Sequence, residues 1–180
     1  MTGISNSPWQ GDFSELRNVL SSMKGFFDGE EGVDELDHAL QCATHALHGG
    51  AAPELVAAAL VHDVGRAPAV SSSYRSIPHE RAGGLWLEGR TSDKVAWLVE
   101  AHVPAKVFLV SSDPAYLEAL SPASVSSLGY QRVDEADLSP WASHRWWPEA
   151  LQLRRWDDAA KVPGAVTAGV DEVLRELGAA

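Results

Sequence analysis

Hydrophobic residues recur along most of the chain at intervals of three and four positions, which is the period of an amphipathic helix. In the segment 12–27, for example, Phe13, Leu16 and Leu20 fall on one helical face. Strict alternation of apolar and polar residues, the pattern of a half-buried strand, does not compete in any segment. The pattern therefore predicts an all-α fold.

Further helices are predicted over 33–50, 53–65, 77–89, 92–102, 113–120, 147–161 and 168–178. Pro53 suits the first turn of the helix that it opens, and Gly49 with Gly50 is a typical helix stop. The segment 53–65 is apolar on nearly every side, so it is expected to form a central, buried helix.

Two segments are less regular. Segment 121–131 stays ambiguous, because its serines favour caps and turns over helix interiors. Segment 132–147 mixes acidic residues, prolines and three tryptophans, and it is predicted to be a long surface excursion. No repeat or linker divides the chain, so a single domain is expected over 1–180, with its N-terminal helix at about 12–27 and its C-terminal helix at about 168–178.

Length and composition suit one folded domain, with 180 residues of which 45% are hydrophobic and 22% charged. The single cysteine, Cys42, rules out an internal disulfide framework and a cysteine-based metal cluster. No run of roughly 18 apolar residues would span a membrane. The first residues lack the features of a signal peptide, so the cytoplasm is the expected location.

The net charge of −11 bears on the choice of partner. A chain this acidic is expected to bind neither nucleic acid nor an anionic membrane surface, because both would repel it. Arg154, Arg155 and Lys161 nevertheless lie close together in the sequence. A local cationic pocket in an acidic protein suits a small anion better than a polymer.

Several histidine and carboxylate side chains occupy apolar helical segments, where they need partners. The stretch LVHDVGR, residues 60–66, places His62 next to Asp63 at the end of the apolar helix. The others are His38, His79, His102 and Asp157. A buried imidazole or carboxylate is costly unless it is hydrogen-bonded or binds a metal, and the two together suit iron, manganese or zinc. Each histidine taken singly is more often a hydrogen-bonded core residue, so only the whole set indicates a metal site.

The order of these residues resembles the HD-domain superfamily of metal-dependent hydrolases and oxygenases. The matching residues on successive helices are His38, His62 with Asp63, His79, His102 and Asp157. Mononuclear members share the first His, the His-Asp pair and the last Asp, and the two middle histidines imply a dinuclear site. The resemblance implies a single HD-domain helical bundle with a dinuclear metal site in its core.

A closer similarity lies in four segments: DHALQCATHA, LVHDVGR, HVPAKVFLVSSDPAYLEALSPASVSSL and LRRWDDAAKVPG. They look like the mixed-valent di-iron oxygenases that cleave the carbon–phosphorus bond of 1-hydroxyphosphonates. The similarity covers about 31–164, which is the expected metal-binding core. It implies an enzyme that uses O2 and two iron ions, Fe(II)/Fe(III), to convert a small anionic phosphonate into a carboxylic acid and inorganic phosphate.

The resemblance also assigns the metal ligands. One iron would take His38, His62, Asp63 and Asp157, and the other would take Asp63, His79 and His102, so that Asp63 bridges the two ions. Asp158 is the alternative to Asp157 as the last ligand. Asp157 is favoured because the family's ligand directly follows the aromatic residue of RRW and lies four positions before Lys161.

Four further residues match positions that hold the phosphonate in the family: Lys106, Ser124, Ser127 and Arg154. Cationic and hydroxyl donors suit a phosphonate dianion, because hydrogen bonds assisted by charge are the strongest. Lys106 lies four residues after His102 and shares its face if the helix continues through Pro104. The alternatives are helix capping for the two serines and a solvated position near a helix end for Arg154.

The chain departs from the family upstream of the first histidine. Members that act on aminophosphonates carry Tyr-x-x-Glu there, and the tyrosine covers an iron until substrate arrives. Here Glu31 falls at the glutamate position but Asp28 at the tyrosine position, so the gating tyrosine is absent. We expect Glu31 to face the substrate and to act in catalysis with Asp63 and Lys106.

Arg66 is a second departure, because this chain reads HDVGR where those members often read HDxGH. A guanidinium at this position favours an anionic substrate tail over an amine, so we expect Arg66 to bind substrate. The loop after Gln131 also differs from the family. These departures concern the identity of the phosphonate more than the chemistry.

Two other functions compete with the oxygenase. The same ligands could activate water in an HD-type metal-dependent phosphohydrolase that acts on a nucleotide or another phosphate ester. A non-enzymatic metal- or anion-binding protein with a vestigial site is the third candidate. The segments RRWDD and DPAYLEALSPAS favour the oxygenase.

Overall fold

The fold was analysed in a computed structural model that describes residues 7–27, 32–129 and 135–179. The helices in this part of the chain are α1 Phe13–Met23, α2 Glu35–His48, α3 Pro53–Val61, α4 Pro68–Ser71, α5 His79–Leu87, α6 Asp93–Ser112, α7 Pro114–Ala119, α8 Pro122–Ser127, α9 Glu135–Ala142, α10 Trp147–Ala159 and α11 Val170–Glu176. The described residues form no β-sheet, and the one strand-like feature is an isolated bridge between Trp9 and Thr91. The predicted all-α class is confirmed.

Helix α3 lies at the centre of the bundle, as its sequence predicts. Pro53 opens it, and every residue from Leu55 to Val61 is buried. It packs against α2, α6 and α10, the helices that carry most of the candidate site. One cluster of buried apolar side chains extends from Trp9 to Leu177. A single domain stays a prediction, which this continuous core supports.

Helix α6 is longer than predicted, because it does not stop at His102 but continues through Pro104 to Ser112. Lys106 therefore does share a helix with His102. The 20-residue helix is long and apolar enough to cross a membrane by length and composition, which the search for apolar runs in the sequence missed. More than half of it is buried against α5 and α10, as in the core helix of a folded bundle.

Several other helix ends differ from the prediction. Helix α1 stops at Met23 and not at residue 27, because Gly25 takes a positive φ of 72° that a continuing helix cannot accommodate. Helix α11 spans Val170–Glu176, one turn shorter than expected. Helix α3 ends at Val61, so His62 and Asp63 lie in the turn that follows it.

Close backbone packing explains that turn. The residues Val64–Arg66 form a short 3-10 turn against α5. A side chain added at Gly65 would lie 2.0 Å from the carbonyl oxygen of His79, so only glycine fits there. The glycine of LVHDVGR thus brings the His-Asp pair next to the helix that begins with His79.

The prediction of a surface excursion over 132–147 is wrong for its described part. Residues 135–142 form α9, which packs against α6. Trp141 and Trp146 pack on the core, and the His144 ring stacks on Trp97 at 4.1 Å between ring centroids. The ambiguous serine-rich segment contains the short helix α8, which Ser121 caps.

Candidate metal centre

Six side chains from five regions of the fold converge in two groups, each with its possible ligand atoms within 4.8 Å of one another. The first group is His38, His62 and Asp157, and the second is Asp63, His79 and His102. Helices α2 and α10 supply the first group together with the turn after α3. The same turn supplies Asp63 to the second group, and α5 and α6 supply its histidines.

The first group is compact and buried. The Nε2 atoms of His38 and His62 lie 3.1 Å apart. Asp157 approaches both rings, with its oxygens 3.3 Å from Nε2 of His38 and 3.6 Å from Nε2 of His62. All three side chains are less than a tenth exposed, so bulk water does not solvate this arrangement.

Asp63 connects the two groups through its two carboxylate oxygens. Its Oδ2 faces the first group, 3.4 Å from Nε2 of His62. Its Oδ1 faces the second group, 3.1 Å from Nε2 of His79 and 3.6 Å from Nε2 of His102. A carboxylate in this position can bridge two ions, as the order of the residues in the sequence implied.

The tautomer of each histidine follows from the contact that its Nδ1 atom makes. Nδ1 of His38, His62 and His102 lies 2.6–2.9 Å from the backbone carbonyl oxygens of Ala160, Ala59 and Val99, respectively. Since a carbonyl can only accept, each Nδ1 must carry the proton and donate it. Nδ1 of His79 lies 3.2 Å from the Glu80 carboxylate, which sets the same tautomer.

The Nε2 atoms of all four histidines therefore face into the cluster, towards one another and towards carboxylate oxygens. The guanidinium groups of Arg66 and Arg154 contact this concentration of acceptors from its edges, and it is unfavourable unless further cations lie within it. Backbone or carboxylate acceptors behind metal-binding imidazoles are the usual second layer of a metal site. The imidazole and carboxylate donors fit Fe, Mn or Zn, and none of the six ligands is a thiolate.

Charge in the cluster shifts the pKa values of its members. Burial alone would raise the pKa of Asp63, but His62 and His79 lower it well below its usual value. Burial alone would lower the pKa of His62, and the carboxylates of Asp63 and Asp157 raise it instead. Burial lowers the pKa of His102. Burial alone would raise the pKa of Asp157, but Arg154 together with His62 and His38 lowers it well below its usual value. The carboxylates are thus held in the ionised form that metals bind.

The residues predicted to hold a phosphonate also come together. Lys106 is buried, and its Nζ donates to the carbonyl of Ser124 at 2.8 Å and to the hydroxyl of Ser127 at 2.5 Å. Burial, and then the nearby Arg154, lower the pKa of Lys106 to about 8. Neither Ser124 nor Ser127 caps α8, because Ser121 does so.

Arg154 is a buried residue and not a solvated one at a helix end. Its guanidinium lies 2.6 Å from Asp157 and also forms an ion pair with Asp158. Asp158 accepts a hydrogen bond from the Tyr116 hydroxyl and lies 3.5 Å from the Ser124 hydroxyl. Asp158 is therefore oriented towards the anion-binding residues, and Asp157 is the carboxylate that reaches His38 and His62.

Three residues near the cluster were not singled out from the sequence as site residues. Lys161 donates to the Ser124 hydroxyl at 2.6 Å, and the Tyr116 hydroxyl donates to the Asp158 carboxylate. Glu35 is buried one helical turn before His38, and its Oε2 has no hydrogen-bond partner among the described residues. Burial, with Asp63 next in effect, raises the pKa of Glu35 to about 9, so this acid stays protonated near neutral pH. Only Lys161 had a signal, in its proximity to Arg154 and Arg155.

Arg66 lies against the second group, with Nε 3.1 Å from Asp63 Oδ1 and Nη2 3.4 Å from His79 Nε2. It also lines a cavity of about 330 Å³ that opens beside His79. Glu31 and Asp28 lie outside the described residues.

No family model matches the chain. Two relatives do. A protein named hydroxymethylphosphonate dioxygenase, from Gimesia maris, is 32% identical over 182 aligned residues, which cover 97% of this chain and 90% of the relative. A protein from Leisingera caerulea named [1-hydroxy-2-(trimethylamino)ethyl]phosphonate dioxygenase (glycine-betaine-forming) is 29% identical over 166 residues, which cover 83% of this chain and 85% of the relative.

Proposed function

The chain belongs to the HD-domain phosphonate oxygenases, and we propose that it cleaves the C–P bond of a small 1-hydroxyphosphonate with O2. The carbon that bears phosphorus leaves as a carboxylic acid, and phosphorus leaves as inorganic phosphate. The two oxygen atoms of O2 balance this reaction, so no further reductant is consumed overall.

We propose that two iron ions, in the mixed-valent state Fe(II)/Fe(III), are the cofactor. The ligands would be His38, His62 and Asp157 for one ion, His79 and His102 for the other, and Asp63 for both. The iron pair would supply the activation of O2. The protein contributes four imidazoles with fixed tautomers and a bridging carboxylate whose two oxygens already face different histidine pairs.

The phosphonate would bind next to this centre through Lys106, Ser124, Ser127 and Arg154. The lysine and arginine supply the charge that a dianion needs, in a buried setting where charge-assisted hydrogen bonds are strong. Lys161 adds a third cation through its contact with Ser124. Glu31 stays a proposed catalytic and substrate-facing residue from its position in the sequence.

The observation that best supports this function is the position of Asp63 between two pairs of histidines. A mononuclear phosphohydrolase needs one set of a His, a His-Asp pair and a final Asp, whereas here His79 and His102 form a second group with Asp63. The buried anion site at Arg154 and Lys106 is compatible with a phosphate ester as well. Hydrolysis of such an ester is therefore the alternative that the experiment must separate.

The test uses purified protein loaded with Fe(II) and supplied with hydroxymethylphosphonate. We expect release of phosphate and formate that requires both iron and dissolved O2, with one O2 consumed for each phosphate. A phosphohydrolase would instead release phosphate from p-nitrophenyl phosphate or a nucleotide under argon. Asp63→Asn should abolish the reaction because it removes the shared ligand, whereas Arg175→Gln, an exposed change on α11, should not.

A further inference from the structure

We propose that the cavity beside His79 is an anion-binding pocket that receives a negatively charged substituent on C1 of the substrate. This inference rests on the proposed function and adds the class of the substrate to it. It depends on a second arginine, Arg75, that neither the sequence pattern nor the metal centre singled out.

The cavity has a volume of about 330 Å³, which suits a small organic group. Arg66, Arg75 and Tyr74 contribute polar groups to its wall, Phe26 and Ile77 contribute apolar surface, and His79 connects it to the metal centre. Ser76 also lines it. Its φ is 69°, and no other non-glycine residue in the described part of the chain has a positive φ. Backbone strain of this kind is found at active sites, ligand-binding segments and switch regions.

Two of the side chains that line the cavity are cationic, Arg66, which also contacts Asp63, and Arg75. None of the described residues that line it carries a carboxylate, although the chain as a whole has a net charge of −11. Arg75 is exposed, and its Nε donates to the carbonyl of Ser72 at 3.4 Å. No carboxylate among the described residues forms an ion pair with it. Arg66 brings a second guanidinium to the same wall.

The position of the cavity indicates which part of a substrate it would receive. Among the residues proposed to hold the phosphonate, Arg154 contacts Asp157 and Asp158, on the side of the first histidine pair. The cavity adjoins His79, a member of the second pair. A substrate whose phosphonate lies at Arg154 and whose C1 lies at the metal centre would direct its remaining substituent towards Arg66 and Arg75.

Phe26 and Tyr74 could in principle surround an ammonium group, because aromatic faces attract cations. The guanidinium groups of Arg66 and Arg75 in the same wall would repel that cation. A carboxylate pairs with arginine in a planar, two-point geometry and gains from both charges. The chemistry of the wall therefore favours a carboxylate.

Binding of unreactive analogues tests this inference independently of turnover. Ethylphosphonate, 2-carboxyethylphosphonate and 2-aminoethylphosphonate lack the 1-hydroxyl group, and calorimetry with metal-loaded protein gives their dissociation constants. We expect the carboxylate to bind about 10-fold more tightly than ethylphosphonate and the amine to bind no more tightly. Arg75→Gln should reduce that preference to about threefold or less, and Arg66→Gln should act in the same direction. Arg175→Gln should leave it unchanged.

Equal affinity for the three analogues, preference for the amine, or an unchanged preference in Arg75→Gln would each overturn the inference. Arg75 is exposed, so its replacement should not prevent folding, and a thermal melt checks this. Turnover of hydroxymethylphosphonate, which has no C1 substituent, reports on the proposed function alone. The pocket can thus fail while the oxygenase stands, or the oxygenase can fail while the carboxylate preference stands.

Discussion

Asp157 and Asp158 are adjacent in the chain, yet their carboxylates contact different parts of the site. Asp157 lies 3.3 Å from Nε2 of His38, among the proposed metal ligands. Asp158 accepts from Tyr116 and from Nε of Arg154, among the residues that would hold an anion. Arg154 contacts both carboxylates and so connects the two halves of the site.

This division predicts opposite defects for two similar substitutions. Asp157→Asn should weaken binding of one metal ion by more than about 100-fold, because it removes a direct ligand. Asp158→Asn should keep both metals and raise KM for the phosphonate about 10-fold, because Arg154 loses charge-assisted bonds that orient it. Metal analysis after gel filtration and steady-state kinetics measure the two effects. Loss of metal in Asp158→Asn with retention in Asp157→Asn would exchange the assignments.

The helices themselves were predictable because their apolar spacing is local information. Several of their ends were not, because contacts distant in sequence determine them. Helix α3 stops at Val61 so that the backbone at Gly65 can pack on the carbonyl of His79. Helix α6 continues through Pro104 because packing against α5 and α10 outweighs the hydrogen bond that proline cannot donate.

In the candidate site, too, some residues could be predicted from the sequence and others could not. The ordered set of histidines and aspartates could be found from the sequence, since each type of side chain is unusual in an apolar helix. The choice of Asp157 over Asp158 rested on resemblance, and the contacts of Asp157 with His38 and His62 support it. Tyr116 and Glu35 could not have been found, because a tyrosine and a glutamate on helices carry no signal of burial beside a metal centre.

The lowered pKa of Lys106 predicts the pH dependence of catalysis. A lysine with a pKa of about 8 carries its charge below pH 8 and loses it above, whereas an ordinary lysine stays charged to about pH 10. Because the phosphonate needs that charge, kcat/KM should fall as the pH rises through about 8. Bound phosphonate favours the charged form, so the fall in kcat should occur at higher pH.

Lys106→Arg provides the control for this assignment. Its guanidinium keeps its charge throughout the measured range, so the alkaline fall in kcat/KM should move up by more than one pH unit or disappear. In Lys106→Gln the value of kcat/KM should be low and should not change with pH over the same range. This variant also reports whether the site tolerates a change of side chain. An alkaline limb that stays in place in Lys106→Arg would assign the titration to another group.

The close contact at Gly65 predicts a coupled loss of stability and of metal. In Gly65→Ala the new methyl group would collide with the backbone of His79, which cannot move away without shifting α5. We expect the free energy of unfolding to fall by about 1–3 kcal/mol or more, measured by urea denaturation, and the second metal to bind more weakly. Gly169→Ala is the matched control, because nothing lies within 4 Å of the added atom. A Gly65→Ala protein as stable as the control would contradict the packing described here.

The contact of Arg66 with Asp63 predicts that this arginine tunes metal affinity. Its guanidinium lies 3.1 Å from Asp63 Oδ1 and 3.4 Å from His79 Nε2, so it competes with a cation for the same lone pairs. In Arg66→Gln the second metal ion should bind about 10-fold more tightly, because a neighbouring positive charge has been removed. Titration with Mn(II), followed by the electron paramagnetic resonance signal of the free ion, resolves the two binding steps. The first step, at His38 and His62, should change less, and Arg175→Gln should change neither. Weaker binding of the second ion in Arg66→Gln would mean that Arg66 holds Asp63 in place for the metal and does not oppose it.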